Sequence, residues 1–162
     1  MLIRAATARD RDAIAALHVA SWQDAYVIEL PPEVLRDEVP GRLRAKWAAR
    51  TFAPPELTLV AEEDGALAGF VCALGDRDPP LIDNLHVRPD LRGGGTGARL
   101  LGAARTVLAE AGFARATLTV LESNPRARAF YLREGGVDEG PLVERLIGRS
   151  VRVRRIGFAL PG

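Results

Sequence analysis

Cysteine and histidine are scarce in this chain, and each scarcity excludes a class of site. Cys72 is the only cysteine, so no disulfide can form within the chain and no multi-cysteine zinc or iron–sulfur site can be built. The two histidines, His18 and His86, are too few for an ordinary histidine-rich metal site. We therefore expect no bound metal ion.

The chain also lacks a surplus of either charge and any long apolar run. Its 22 Lys and Arg nearly balance 21 Asp and Glu, which argues against nucleic acid or an anionic membrane as a partner. No apolar run approaches the roughly 20 residues of a membrane span, and the N-terminus lacks the apolar core of a signal peptide. We expect a soluble, cytoplasmic protein. Lys46 is the only lysine, and this Arg-, Ala-, Gly- and Pro-rich composition is typical of a GC-rich bacterial genome.

Apolar spacing predicts a mixed fold. A chain of 162 residues, 48% of them hydrophobic, is long enough for one core, so residues 1–162 are expected to form a single domain. Strand patterns occur at 2–5, 57–61, 66–74, 81–87, 116–120, 142–147 and 151–160, and helical patterns at 7–26, at 32–50 with a break at 40–41, at 97–111 and at 124–134. The order predicts an α/β (α+β) domain with a central, mostly antiparallel sheet flanked by helices. One parallel crossover joins 81–87 to 116–120.

A glycine-rich turn follows the strand predicted at 81–87 and opens the next helix. It consists of Arg92, Gly93, Gly94, Gly95, Thr96 and Gly97. Glycines let backbone N–H groups converge on a ligand, and the helix N-terminus adds unpaired donors and the positive end of its dipole. The turn is therefore a candidate phosphate site, with Arg92 supplying charge at its rim.

Four interpretations of the turn compete. A Walker A loop is excluded because no Lys-Ser/Thr pair follows the glycines. A dinucleotide fingerprint is met nominally by Gly93, Gly95 and Ala98, but five residues separate the strand from the glycines and the unit lies mid-chain. The pattern Arg/Gln-x-x-Gly-x-Gly/Ala is met by Arg92, Gly95 and Gly97. It resembles the coenzyme A pyrophosphate loop of the GNAT superfamily of acyl-CoA-dependent N-acyltransferases. A turn without a ligand is the fourth interpretation.

A second segment strengthens the resemblance. Residues 124–135 are similar to the GNAT motif Asn-x-x-Ala-x-x-Phe-Tyr-x-x-x-Gly, and residues 3–10 and 21–26 look like the family's first strand and helix. The resemblance covers residues 2 to 135. The family usually continues Gly-Phe after this helix, whereas here Gly135 is followed by Gly136 and Val137. The resemblance implies direct acetyl transfer from acetyl-CoA, as co-substrate, to an amine in a ternary complex.

The strand at 81–87 carries candidates for the proton relay and for binding the thioester. Two-residue periodicity places Asp83 and Leu85 on one face of the sheet and His86 on the other. The resemblance implies that Asp83 relays the proton of the amine, the alternative being a carboxylate that binds a backbone amide. It also implies that the backbone N–H of Leu85 or Val87 donates to the thioester carbonyl, since GNATs splay this strand from the next. His86 belongs to the same cofactor-binding strand, although a structural role suits its side chain better.

The helix at 124–134 supplies a candidate acid. By match to the motif, Tyr131 would protonate the leaving thiolate, and Asn124 would cap the helix and contact the pantetheine arm. Arg126 would meet the adenosine phosphates. The alternative for Tyr131 is a half-buried core tyrosine. Asn124 would then only cap the helix, and Arg126 would be a solvated charge.

The sequence says least about which residues would bind the acceptor amine. The family places acceptor-binding residues where Trp22, Asp24 and Tyr26 lie, although core and surface roles explain them equally well. His18 is expected to be a packed core or pocket-wall histidine. A small-molecule amine or a peptide N-terminus is the expected acceptor, and a homodimer is a possible assembly. Two other functions stay open, a non-catalytic acyl-CoA sensor and a dinucleotide-dependent oxidoreductase.

Overall fold

The structure is a computed structural model that describes all 162 residues. It contains seven strands and five α-helices. In chain order these are β1 (Leu2–Ala5), α1 (Arg11–Ala25), α2 (Pro32–Asp37), α3 (Val39–Ala48), β2 (Glu56–Glu63), β3 (Ala66–Leu74), β4 (Leu81–Val87), α4 (Thr96–Glu110), β5 (Arg115–Leu121), α5 (Pro125–Arg133), β6 (Val137–Leu146) and β7 (Arg149–Ala159). None of the helices is long and apolar enough to cross a membrane.

One sheet contains all seven strands, in the order β1-β2-β3-β4-β5-β7-β6. Every neighbouring pair is antiparallel except β4 and β5. A core centred on α4 covers one face, and α5 packs against the same core. Residues of α1 and α3 pack on the opposite face, around Val60, Phe70 and Cys72. The predicted mixed α/β fold is confirmed.

Several boundaries differ from the predicted ones by a few residues, and two of them have a clear local cause. The helical break falls at Glu38, and Pro40 stands in the first turn of α3, where a missing N–H costs nothing because the first turn has no partner for it. Strand β6 starts at Val137, five residues before the predicted start, directly after Gly135 and Gly136. A Cβ at Gly136 would lie 2.5 Å from Ile156 Cγ2 and 2.8 Å from the Tyr131 carbonyl, so the chain has room only for glycine there.

The sheet opens between β4 and β5. These parallel strands pair only at Leu81 and Thr117. Beyond Leu81, the β4 backbone has strand partners on the β3 side but none on the β5 side. The carboxyl ends of both strands therefore diverge, and the crevice outside the carboxyl ends of parallel strands is where open α/β sheets bind ligands.

Candidate functional site

The glycine-rich loop lies at the carboxyl end of β4 and leads into α4. Gly93 and Gly95 have φ of +82° and +88°, which residues with a side chain rarely adopt. No side chain caps the N-terminus of α4, so its first N–H groups stay free for a ligand. Gly93, Gly94 and Gly95 are exposed, whereas Thr96 is buried. This loop can bind a phosphate through its backbone.

The second motif lies at the carboxyl end of β5 and meets the first. The side-chain oxygen of Asn124 accepts from the N–H of Ala127 at 3.1 Å, so the predicted cap is present. A Cβ on Gly97 would lie 3.4 Å from the Phe130 ring, so the start of α4 lies against the second half of α5. The two sequence motifs are thus brought together at the divergent ends of β4 and β5. Arg126, on the first turn of α5, is exposed.

Two phenols approach the same region from different elements. Burial raises the pKa of Tyr131 above its usual value, and the nearby phenol of Tyr26 raises that pKa further. Burial also raises the pKa of Tyr26 to about 12. Both hydroxyls stay protonated at neutral pH and are therefore able to donate. The ring of Tyr26 lies 4.6 Å from that of Trp22, so two of the candidate acceptor-side residues form one aromatic wall.

A β-bulge in β4 corrects the predicted faces. Asn84 pairs with Cys72 and Ile82 with Ala73, which leaves Asp83 as an extra residue with no partner on β3. Leu85 packs into the α4 core. Asp83 instead contacts residues of the α3 side, and the His86 ring lies 4.9 Å from His18 of α1. The prediction that Asp83 shares a face with Leu85 and opposes His86 is wrong, because the inserted residue breaks the alternation.

The Asp83 carboxylate is held by three donors. Its Oδ2 accepts from Lys46 Nζ at 2.9 Å, from Arg50 Nη2 at 3.3 Å and from Asn84 Nδ2 at 3.0 Å. Oδ1 has no hydrogen-bond donor from the chain and is the oxygen left for a substrate or a water. The chain's only lysine therefore belongs to the site region, a role that its rarity alone did not reveal.

His18 is fully buried, as expected, and so cannot contact solvent or a substrate directly. Its Nε2 lies 3.0 Å from Trp22 Nε1 and its Nδ1 lies 2.9 Å from Trp47 Nε1. A neutral imidazole carries one proton, so it accepts from only one of these indoles. Burial lowers the pKa of His18 to about 2 and that of His86 to about 4, which keeps both neutral.

The loop and α1 are joined by an ion pair. Arg92 Nη1 lies 3.3 Å from Asp24 Oδ2, so the predicted phosphate-rim cation and the predicted acceptor-side carboxylate are direct neighbours. Sequence spacing did not predict this contact, nor that of Ser123 with Glu29 across the open end of the sheet. Contacts between distant parts of a chain have no local sequence pattern.

The residues present fit coenzyme A. An uncapped helix N-terminus behind two left-handed glycines suits a pyrophosphate. Unpaired β4 backbone suits the amides of a pantetheine arm. The chain has no group of three His, Cys, Asp or Glu side chains placed to hold a metal ion.

Comparison with known proteins agrees with this fit. Residues 9–136 match the model of the acetyltransferase (GNAT) family. An uncharacterized N-acetyltransferase of Mycobacterium bovis is 28% identical over 85% of this chain and 89% of its own. A GCN5-related N-acetyltransferase structure from Rhodopseudomonas palustris superposes with a TM-score of 0.79 at 24% identity, over 98% of this chain and 95% of that one. A putative acetyltransferase from Salmonella typhimurium, solved with its cofactor acetyl-CoA, gives 0.74 at 20% identity, over 100% and 95%.

Proposed function

The chain belongs to the GNAT family of acetyl-CoA-dependent N-acetyltransferases, and we propose from this that it moves an acetyl group directly to a primary amine of a small molecule or a peptide. The observation that carries the proposal is the opening of β4 from β5, with the glycine-rich loop at one carboxyl end and Asn124 at the other. Family membership removes the dinucleotide-dependent oxidoreductase as an alternative.

We assign the cofactor-binding roles to the loop and the two strands. Backbone N–H groups of residues 93–97 hold the pyrophosphate, and Arg92 and Arg126 add charge around it. The N–H of Leu85 or Val87 donates to the thioester oxygen, on which negative charge grows during transfer. His86 supports this strand from the α1 side, and Asn124 contacts the pantetheine arm.

The proton transfers fall to two side chains. An attacking amine must be neutral, so Asp83 accepts its proton through Oδ1, directly or through one water. Tyr131 donates to the leaving thiolate, since its phenol is protonated at neutral pH. Trp22, Asp24 and Tyr26 form the acceptor side. The amine nitrogen bonds to the acetyl carbon and forms the new amide as the thioester C–S bond breaks. The leaving thiolate takes the proton of Tyr131.

We also propose a cellular compartment, an oligomeric state and a domain count for the protein. The buried free thiol of Cys72 fits a reducing, cytoplasmic compartment. Strand β6 is an edge of the sheet and exposes Val137 and Val143, which supports a homodimer through that edge. The single continuous sheet supports one domain across residues 1–162.

The test is turnover of acetyl-CoA with a panel of primary amines, followed by Tyr131→Phe. Removing only the hydroxyl keeps the packing of the ring, so kcat should fall roughly 10- to 1,000-fold, up to the scale of one acid–base contribution, while acetyl-CoA affinity changes little. Leu132→Ala, at an exposed neighbour on α5, is the control and should retain activity.

Two results would contradict this assignment. If kcat of Tyr131→Phe stays within about twofold while chemistry is rate-limiting, Tyr131 is structural and water or another donor serves the thiolate. Binding of acetyl-CoA without turnover on any amine would favour the non-catalytic sensor.

A further inference from the structure

Lys46 carries the only side-chain primary amine of the chain, and α3 brings it to the proposed site. Its Nζ donates to Asp83 Oδ2 at 2.9 Å, although 37 residues separate the two along the chain. The Lys46 side chain is 34% exposed, so solvent and ligands reach it. An amine of the class that the proposed reaction consumes is therefore already in contact with the proposed proton acceptor.

The Lys46 amine also lies near the stretch of β4 that would bind the thioester. That stretch contains Leu85 and Val87, whose N–H groups are the proposed donors, and His86 between them. Burial lowers the pKa of His86, and the charges of Arg92 and Lys46 lower it further, so the ammonium stands close to this strand. The contact with Asp83 and this proximity to His86 place the amine on the α3 side of the opening between β4 and β5.

Lys46 is the one paired cation of the structure that can become a nucleophile. Every other cationic side chain in an ion pair is an arginine. A guanidinium keeps its proton in proteins, whereas a lysine amine can lose one and then be acylated. Contact with a carboxylate supplies the proton acceptor that this step needs.

The site tolerates the loss of the Lys46 charge. Arg50 Nη2 donates to the same Asp83 oxygen at 3.3 Å, and Asn84 Nδ2 donates to it at 3.0 Å. A neutral Lys46 therefore leaves Asp83 paired with a cation, and the penalty for an unpaired, partly buried carboxylate does not arise.

We propose that the protein acetylates its own Lys46 from acetyl-CoA bound in the opening between β4 and β5. The inference rests on the proposed function, because it uses the same thioester, proton acceptor and acid. Asp83 takes a proton from the Lys46 ammonium, and the neutral nitrogen bonds to the acetyl carbon as the C–S bond breaks. Tyr131 protonates the thiolate, and the second proton of the nitrogen restores the phenol through solvent. The products are the N-acetylated side chain, free CoA and one proton, which Asp83 releases.

The test is incubation of the wild-type protein with acetyl-CoA and no added amine, followed by intact mass and peptide mapping. The chain should gain one acetyl group at Lys46, and mapping separates it from the amine of Met1. The first-order rate constant should not change with protein concentration, because the transfer occurs within one molecule. An added amine that is turned over should slow the modification, since it competes for the same acetyl group.

Asp83→Asn keeps the shape of the side chain but removes the proton acceptor. It should slow the modification of Lys46 roughly 100-fold, within the range of one general base. Its affinity for acetyl-CoA, measured by calorimetry, should barely change, which shows that the variant is folded. Tyr131→Phe should also slow the modification, because the leaving thiolate loses its acid.

Arg44→Lys is the matched control. Arg44 is exposed on the same helix and belongs to no ion pair of the structure. Residues two positions apart face different sides of a helix, so the introduced amine points away from Asp83. This variant should be acetylated at Lys46 and not at the introduced side chain.

The outcomes separate this inference from the proposed function. Turnover of an added amine with no acetyl group on Lys46 would overturn the inference and leave the proposed function in place. Acetylation of Lys46 without turnover of any added amine would refute the proposed acceptors and leave the inference intact. Equal rates at Lys46 and at the introduced amine of Arg44→Lys would show uncatalysed acetylation by free acetyl-CoA and would overturn the inference.

Discussion

At the scale of single residues, Asp83 connects β4 with α3 and the residues that follow it. The bulge turns its side chain toward Lys46 and Arg50, and both cations donate to the same oxygen. This arrangement fixes the carboxylate through Oδ2 and leaves Oδ1 without a donor from the chain, which is why the proposed proton transfer is assigned to Oδ1. In the proposed mechanism Lys46 and Arg50 act through Asp83 and are positioning residues.

The Asp83→Asn variant should lower kcat about 100-fold at pH 7, within the range of one general base. The loss should be larger at acidic pH, where neutral amine is scarce, and smaller at alkaline pH. Acetyl-CoA affinity should barely change. The measurement is the pH–rate profile of kcat with one amine.

The control for that variant is Glu56→Gln. Glu56 also contacts Arg50, at 3.8 Å, but lies on β2. It separates loss of an Arg50 partner from loss of a base, so its pH–rate profile should match the wild type. An unaltered profile in Asp83→Asn would instead assign Asp83 a structural role in holding α3 to β4.

At the scale of elements, the loop between β4 and α4 combines a backbone conformation with a free helix end. Gly95 is the residue before α4 and has a left-handed φ of +88°, and no side chain caps the first N–H groups of the helix. A Cβ there meets no atom within 4 Å, so any effect of a side chain comes from backbone strain and from the approach of a ligand.

Gly95→Ala should weaken CoA binding at least tenfold by calorimetry, because alanine resists this φ and its methyl group stands where a phosphate approaches. Its circular dichroism spectrum should stay native-like. Gly102→Ala is the matched control: Gly102 lies inside α4 with open space around it, so alanine should leave CoA affinity unchanged and slightly stabilise the helix. Unchanged CoA affinity in folded Gly95→Ala would refute backbone binding of the pyrophosphate.

At the scale of the whole molecule, the buried His18 and the half-buried His86 link stability to pH. His18 and His86 stand between α1 and β4 with their rings 4.9 Å apart. Their pKa values, about 2 and about 4, lie below the value of about 6.5 for an exposed histidine because burial disfavours the charged ring. At a pH between the folded-state pKa and about 6.5, the unfolded chain therefore binds protons that the folded chain does not.

The free energy of unfolding should therefore fall as the pH drops from 7 to 5. A folded-state pKa that is lowered contributes stability above the unfolded value and loses it below, and His18 alone should account for about 2 kcal/mol at pH 5. Urea unfolding at both pH values measures the change. Asp138, whose pKa its hydrogen bond from Arg154 lowers to about 2, contributes only below about pH 4 and does not interfere.

The variant His18→Gln provides the comparison. It is expected to be less stable at pH 7, where the imidazole fills its site, yet to lose about 2 kcal/mol less than the wild type on going to pH 5. A wild-type unfolding free energy that stays flat over this interval would show that the histidines are not held neutral by the fold.

The sequence by itself determined the order of elements and the local devices at their ends. Gly93 and Gly95 in the loop, Asn124 as the cap of α5 and the apolar periodicities all act through neighbours a few residues away, so their effects are visible in the chain. These local signals also identify the two motifs from which the family follows.

Only the tertiary structure decided which side chains meet. The one-residue bulge at Asp83 reversed the predicted faces of β4, because strand alternation holds only while every residue has a partner. The contacts of Lys46 with Asp83, of Arg92 with Asp24 and of Ser123 with Glu29 span 37, 68 and 94 residues. Packing of the helices on the sheet creates such contacts, and no short stretch of sequence contains both partners.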